Sequence, residues 1–180
     1  NFEYDLVDIV RQAVAEKGRL VYPIVVSSYK AADLPLFKAA SERFLQLIQL
    51  QDRLLATQPL FKVGRWIDYA RRMGNAPEEK DLYEWNARVQ VTTWGNRLAA
   101  DRGGLHDYGH KEWNGLLSDF YYLRWKTYFD ELTHRLEGQA PKEIDFYALE
   151  EAWTLQHNPY SAVAEGNAID TACEGYRALQ

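Results

Sequence analysis

Apolar residues recur at three- and four-residue spacings along most of this chain, the mark of helices with one buried face. Leu6, Ile9, Val10, Ala13 and Val14 trace the first such face. Gly18 and Pro23 interrupt it, so this helix either kinks there or divides in two. The β-branched run Leu20 to Ser28 has the composition of a strand. It lies between helical patterns and has no second strand to pair with, so helix is the better reading. Asp33 followed by Pro35 is a helix start, with an acceptor side chain at the cap and proline in the first turn. From there Phe37, Ala40, Phe44, Leu47, Ile48, Gln51, Leu54 and Leu55 form a long stripe that Pro59 ends.

A short helix over 65–72 follows, closed by Met73-Gly74. Asn75 to Glu78 has the spacing of a capping box, and the helix after it carries Leu82, Trp85, Val89 and Thr92 on one face, ending near Gly95. Residues 96–104 read as a polar loop. The longest helix is expected from between Leu105 and Lys111 to about 137. Its stripe Trp113, Leu116, Leu117, Phe120 gives way to Trp125, Phe129, Leu132, Leu136 on a shifted face, which predicts a bend or burial against two different neighbours. Asp145 caps a helix bearing Phe146, Leu149 and Trp153, and 157–166 is loop. Ile169, Ala172, Cys173, Tyr176 and Leu179 mark the last helix. The fold class is therefore all-α: one domain over 1–180, a bundle of six or seven helices with short connections, including a long bent helix near 108–137.

Composition narrows the function. The chain has 180 residues, 47% hydrophobic and 26% charged, with a formal net charge of −5. This excludes a disordered chain and argues against nucleic acid or an anionic membrane as partner. No apolar run reaches the ~18 residues of a membrane span. Cys173 is the single cysteine and has no internal disulfide partner. The chain starts at Asn1 and holds one Met, Met73, so it reads as part of a longer protein. Its 6 Trp, 12 Tyr and 7 Phe suit both a core and a sugar-binding surface.

His106 and His110 stand four apart, a spacing that chelates zinc on a helix. The Glu that a zincin carries after its first His is replaced by Asp107, and Gly109 disfavours helix there, so hydrogen-bonded histidines are the better reading and no metal or other cofactor is expected. Most of the acidic residues Glu78, Glu79, Asp81, Glu84, Glu150 and Glu151 sit at helix starts, where acids favour the dipole, so they do not read as a catalytic pair. No nucleophile elbow or phosphate loop is present. Trp94, in the last turn of a helix, projects toward a loop that leads to Leu105, Asp107 and Tyr108. An indole, a phenol and a carboxylate there suit the C–H face and hydroxyls of a sugar, although an indole packed under its own loop fits the pattern too.

Three segments carry a resemblance: YDLVDIVRQAV (4–14), NARVQVTTWG (86–95) and LHDYGHKEWNGLLSDFYYLRW (105–125). In order and spacing they resemble the C-terminal helical domain of the α-N-acetylglucosaminidases, glycoside hydrolase family 89. The resemblance implies a larger enzyme that removes terminal α-linked N-acetylglucosamine with retention, through two glutamates on a (β/α)8 barrel. Two carboxylates about 5 Å apart are what such chemistry requires. The resemblance places no catalytic residue in this chain. It implies that Trp94, Leu105 and Tyr108 line the substrate pocket beside the barrel. Arg88, Asp107 and Arg124 also resemble motif positions, and we read them as structural, with buried arginines pairing to carboxylates or carbonyls to fix helix geometry. It implies a periplasmic or secreted protein in bacteria and a lysosomal one in animals. The absence of any Asn-x-Ser/Thr sequon favours the bacterial case. The alternative is a stand-alone helical scaffold or interaction module without activity.

Overall fold

The computed structural model describes residues 2–109 and 111–180. Among these the chain forms eight α-helices: α1 Phe2–Lys30, α2 Leu34–Ala56, α3 Val63–Arg72, α4 Pro77–Gln90, α5 Arg97–Asp101, α6 Tyr122–Leu136, α7 Phe146–Thr154 and α8 Ala168–Ala178. A 3-10 turn spans Pro59–Phe61 and a π-helical turn spans Leu117–Tyr121. The architecture is the all-α bundle that the periodicity predicts. The additional element is α5, capped by Asn96, inside the segment expected to be loop.

α1 runs unbroken through Gly18 and Pro23 for 29 residues and is the longest helix among the described residues, so the helix does not divide in two and the strand-like run is helical. Its buried seam is Val7, Val14, Val21, Val25 and Ser28, largely a seven-residue repeat, whereas the expected core residue Ile9 is exposed. α2 is the centre of the bundle, packed against α1, α6, α8 and the π turn. Its start is as read: the Asp33 side chain accepts the Leu36 N–H at 3.0 Å. Phe37, Ala40 and Leu45 pack with Val25, Phe129 and Leu132. Farther along, Leu54 and Leu55 pack with Val7, Leu117, Ala168 and Ala172. α8 lies against α1 through Gly175, where an added Cβ would come within 2.5 Å of Val10. The larger expected contacts Ile169, Cys173 and Tyr176 are exposed, so small residues make this interface.

The long helix expected near 108–137 begins only at the π turn, after residue 115. Three contacts hold the preceding segment out of helix. Asn114 pairs with the 61–63 strand-like segment, its N–H on Phe61 O at 2.8 Å and its carbonyl on the Val63 N–H at 3.1 Å. Gly115 takes φ +86°, and a Cβ there would meet the Tyr160 ring at 2.7 Å. Asp52 of α2 then caps the helix from across the bundle, accepting from the Gly115 N–H at 2.7 Å and the Ser118 N–H at 3.1 Å. Burial raises the Asp52 pKa despite these hydrogen bonds. The face shift accompanies burial against two different neighbours: Leu116 and Phe120 pack with Val63, Ile67 and Trp153, whereas Phe129 and Leu132 pack with Val25 and Phe37. A π turn inserts one residue, and the stripe steps from Phe120 to Trp125 instead of to position 124.

α4 corrects two expectations. Its cap is one residue later than read: the Glu79 carboxylate accepts from the Asn75 N–H at 2.8 Å and the Ala76 N–H at 3.4 Å. Its apolar residues Leu82 and Trp85 are exposed, while Glu84, Ala87 and Arg88 are buried. The buried face is chosen by an ion pair rather than by hydrophobicity.

Candidate functional site

α4 ends in a tight turn. The Trp94 N–H closes on Val89 O at 2.8 Å and the Gly95 N–H on Thr93 O at 2.7 Å. Trp94 takes a left-handed φ of +60°, and its indole is 43% exposed. Tyr108, 65% exposed, stands beside it with ring centroids 5.5 Å apart and planes inclined by 56°. The structure thus brings together two of the three residues singled out from sequence, as an exposed L of two aromatic faces. Leu105 is also exposed, and its carbonyl lies 3.6 Å from where a Cβ on Gly95 would stand. Its backbone closes the α5 loop against the Trp94 turn.

Beneath this surface lies a polar network. Asp107, at φ +51°, accepts from the Tyr121 hydroxyl at 2.7 Å through one carboxylate oxygen and from Arg124 Nη1 at 2.7 Å through the other. Arg124 Nε also sits 2.9 Å from Glu150 Oε1, and Glu150 Oε2 meets His106 Nε2. Glu150 is fully buried in α7. α7 is tied to the same turn, since the Tyr147 hydroxyl donates to Gly95 O at 3.1 Å. Burial, and then the hydrogen bond to Asp107, push the Tyr121 pKa far above that of an ordinary phenol, so its hydroxyl stays a donor.

A second buried charge sits one turn back in α4. Arg88 is inaccessible to solvent, with Nη2 2.8 Å from Glu84 Oε1 and its guanidinium over the rings of Trp153 at 4.7 Å and Tyr160 at 5.3 Å. It donates to Asn158 O at 3.1 Å. Arg88, Asp107 and Arg124 thus lie in ion pairs within the domain, the arrangement expected of them from the sequence.

The metal question has a geometric side. His110 lies outside the described residues, and Nε2 of His106 is already engaged by Glu150. Asp81, Glu84 and His157 offer ligand atoms within 4.8 Å of one another. Arg71 Nη1 stands among them, 2.9 Å from Asp81 and 2.5 Å from Glu84, supplying the positive charge that a cation would bring.

A family model described as the α-N-acetylglucosaminidase (NAGLU) C-terminal domain matches residues 1–177. The chain belongs to this family. Human α-N-acetylglucosaminidase is 31% identical over 177 residues, which cover 95% of this chain and 23% of that protein. A family 89 glycoside hydrolase from Clostridium perfringens, solved with PUGNAc, superposes with a TM-score of 0.93 at 36% identity, over 99% of this chain and 21% of that one. The same organism's enzyme with its substrate GlcNAc-α-1,4-galactose gives 0.92 at 38% identity, over 98% of this chain and 21% of that one. The chain thus spans about a fifth to a quarter of the length of these relatives.

Sequence reasoning missed the roles of Glu84 and Glu150. Both belong to a set of acids that read mostly as helix-start residues, yet Glu84 is eighth in α4 and Glu150 fifth in α7, and both are buried. The Glu84–Arg88 spacing of four was the available signal for the first. For Glu150 the signal was its place between Leu149 and Trp153 on a short apolar helix. Tyr121 carried no local signal, because its direction depends on the π turn.

Proposed function

We propose that this chain is the C-terminal helical domain of an exo-acting, retaining α-N-acetylglucosaminidase. It packs on a catalytic (β/α)8 barrel of the same protein and supplies the apolar wall of the pocket for a terminal α-linked N-acetylglucosamine. The parent protein works in the periplasm or outside the cell in a bacterium, or in the lysosome in an animal. Among the described residues no helix is long and apolar enough to cross a membrane. The observation that carries the reading is the Trp94–Tyr108 pair: two exposed aromatic faces in contact, on backbone fixed by a buried network, in a chain of this family. Aromatic faces stack on sugar C–H surfaces and exclude water from a reacting centre. The carboxylates that do the chemistry belong to the barrel, and this domain supplies shape.

The test is Trp94→Ala in the full-length enzyme, assayed on an aryl α-N-acetylglucosaminide. Loss of an indole contact of about 1.5–3 kcal/mol lowers kcat/KM roughly 10- to 100-fold. Circular dichroism and thermal unfolding should stay near those of the parent, because the indole is already 43% exposed. Unchanged kinetics would remove Trp94 from the pocket.

A further inference from the structure

We infer that Tyr121, Arg124 and the buried Glu150 are positioning residues for the sugar-binding wall: through Asp107 they set where Tyr108 stands against Trp94. This rests on the reading of that pair as a pocket wall. The geometry is specific. Asp107 immediately precedes Tyr108 and is in the left-handed region, which costs a non-glycine residue ~1–2 kcal/mol. Something must hold it there, and both of its carboxylate oxygens are held: one by Tyr121, the other by Arg124. Those two residues lie three apart, where the π turn runs into α6, and so they share a face.

Arg124 is itself held. Its ring neighbours are Phe120 and Tyr121, at 5.5 and 5.8 Å, and its Nε lies beside Glu150. Glu150 also engages His106, on the other side of Asp107. The segment 106–108 is thereby anchored at successive residues, by α6 and α7 together. The arrangement fits a demand for fixed ring orientation, since an aromatic wall a fraction of an ångström out of place loses contact with its ligand.

The experiment is a double-mutant cycle in the full-length enzyme with an aryl α-N-acetylglucosaminide as substrate. Tyr121→Phe keeps the ring and removes only the donor to Asp107. Glu150→Gln removes the buried charge. Each is combined with Tyr108→Ala. We expect Tyr121→Phe to lower kcat/KM roughly 3- to 30-fold, mainly through KM, with little further loss when Tyr108 is already alanine. Glu150→Gln should behave in the same way. Because it alters a fully buried group, its thermal unfolding is measured alongside, and Tyr121→Phe decides the matter if it does not fold. If Tyr108→Ala lowers kcat/KM but Tyr121→Phe leaves it unchanged, or if the two losses multiply independently, the positioning role is wrong while the wall stands. If Tyr108→Ala itself has no effect, the wall reading fails and this inference fails with it.

Discussion

Replacing Arg88 by methionine tests whether the interior of this domain is organised by charge. Methionine keeps most of the aliphatic volume and removes the guanidinium. Arg88 has no solvent exposure, and its partner Glu84 is 3% exposed. Removing one member of a buried ion pair costs about 3–5 kcal/mol, because the other is left charged and uncompensated. Here Glu84 keeps Arg71 at 2.5 Å, which argues for the lower end of that range. Asn158 O loses its donor and the Trp153 and Tyr160 rings lose a stacked cation, which pushes upward again. The expected loss is about 3–4 kcal/mol, from a total that for a domain is on the order of 5–15 kcal/mol. The assay is urea unfolding of the 180-residue chain, read as a shift in midpoint at constant slope. Thermal unfolding should fall by roughly 6–16 °C.

The pH dependence supplies an independent check. Burial alone would raise the Glu84 pKa, but hydrogen bonds from Arg88, His157 and Arg71 override it and leave the pKa below its ordinary value. A carboxylate depressed in the folded state contributes stability that is present above its unfolded pKa and lost as pH falls through the folded value. Arg88→Met weakens that depression, so the gap between parent and variant should narrow as pH falls below about 4.5. Adding Glu84→Gln should recover about 1 kcal/mol or more, since it removes the stranded charge. A loss under about 1 kcal/mol, or a gap that does not change with pH, would refute the reasoning.

Gly64 and Pro23 extend the tests to the backbone. A Cβ on Gly64 would lie 2.3 Å from Ser161 O and 2.6 Å from Tyr160 O, which are backbone atoms unable to turn aside. Gly64→Ala should cost about 3 kcal/mol, and a melting temperature within about 2 °C of the parent would show that the 160–161 segment yields freely. Pro23 is exposed inside an unbroken α1 and has no N–H to offer the preceding turn. Pro23→Ala should stabilise the chain by about 1–3 kcal/mol. A lower melting temperature would refute this and mean that the proline ring itself supports the packing of α1.

What was legible in the sequence follows from the physics of each signal. α2 was readable because cap, proline and stripe agree, and the structure honours all three. The shifted face in the 113–136 stripe was visible because a π insertion leaves a one-residue step in the pattern, although the π turn itself was not read from it. The start of that helix was not, because it is fixed by Asp52, far away in sequence, and by the Asn114 bridge. The buried faces of α4 and α8 escaped for a different reason. Periodicity assigns the apolar stripe to the core, but α4 buries the Glu84–Arg88 pair and α8 buries Ala168, Ala172 and Gly175 for close approach. Trp94 and Tyr108 were found through residue type and order, while the Tyr121 and Glu150 beneath them depend on tertiary placement.

The strained backbone positions support the same division of roles. Among the described residues, three non-glycine residues have positive φ: Ala32, Trp94 and Asp107. Ala32 is explained locally, as the turn after α1, where the Asp33 N–H reaches back to Ser28 O at 2.9 Å. Trp94 and Asp107 stand on either side of the α5 loop and converge on one surface: one bears the exposed indole and the other precedes the exposed phenol. Folding alone gives no reason to place strain twice under two exposed rings, since exposed aromatics contribute little to a core. Strain of this kind persists when the surroundings over-determine it. Here the surroundings are a phenol, a guanidinium, a carboxylate and an imidazole drawn from three segments of chain, a costly assembly to bury for a loop with no task. The strain and the network make sense together if what must be kept is the angle between the two rings.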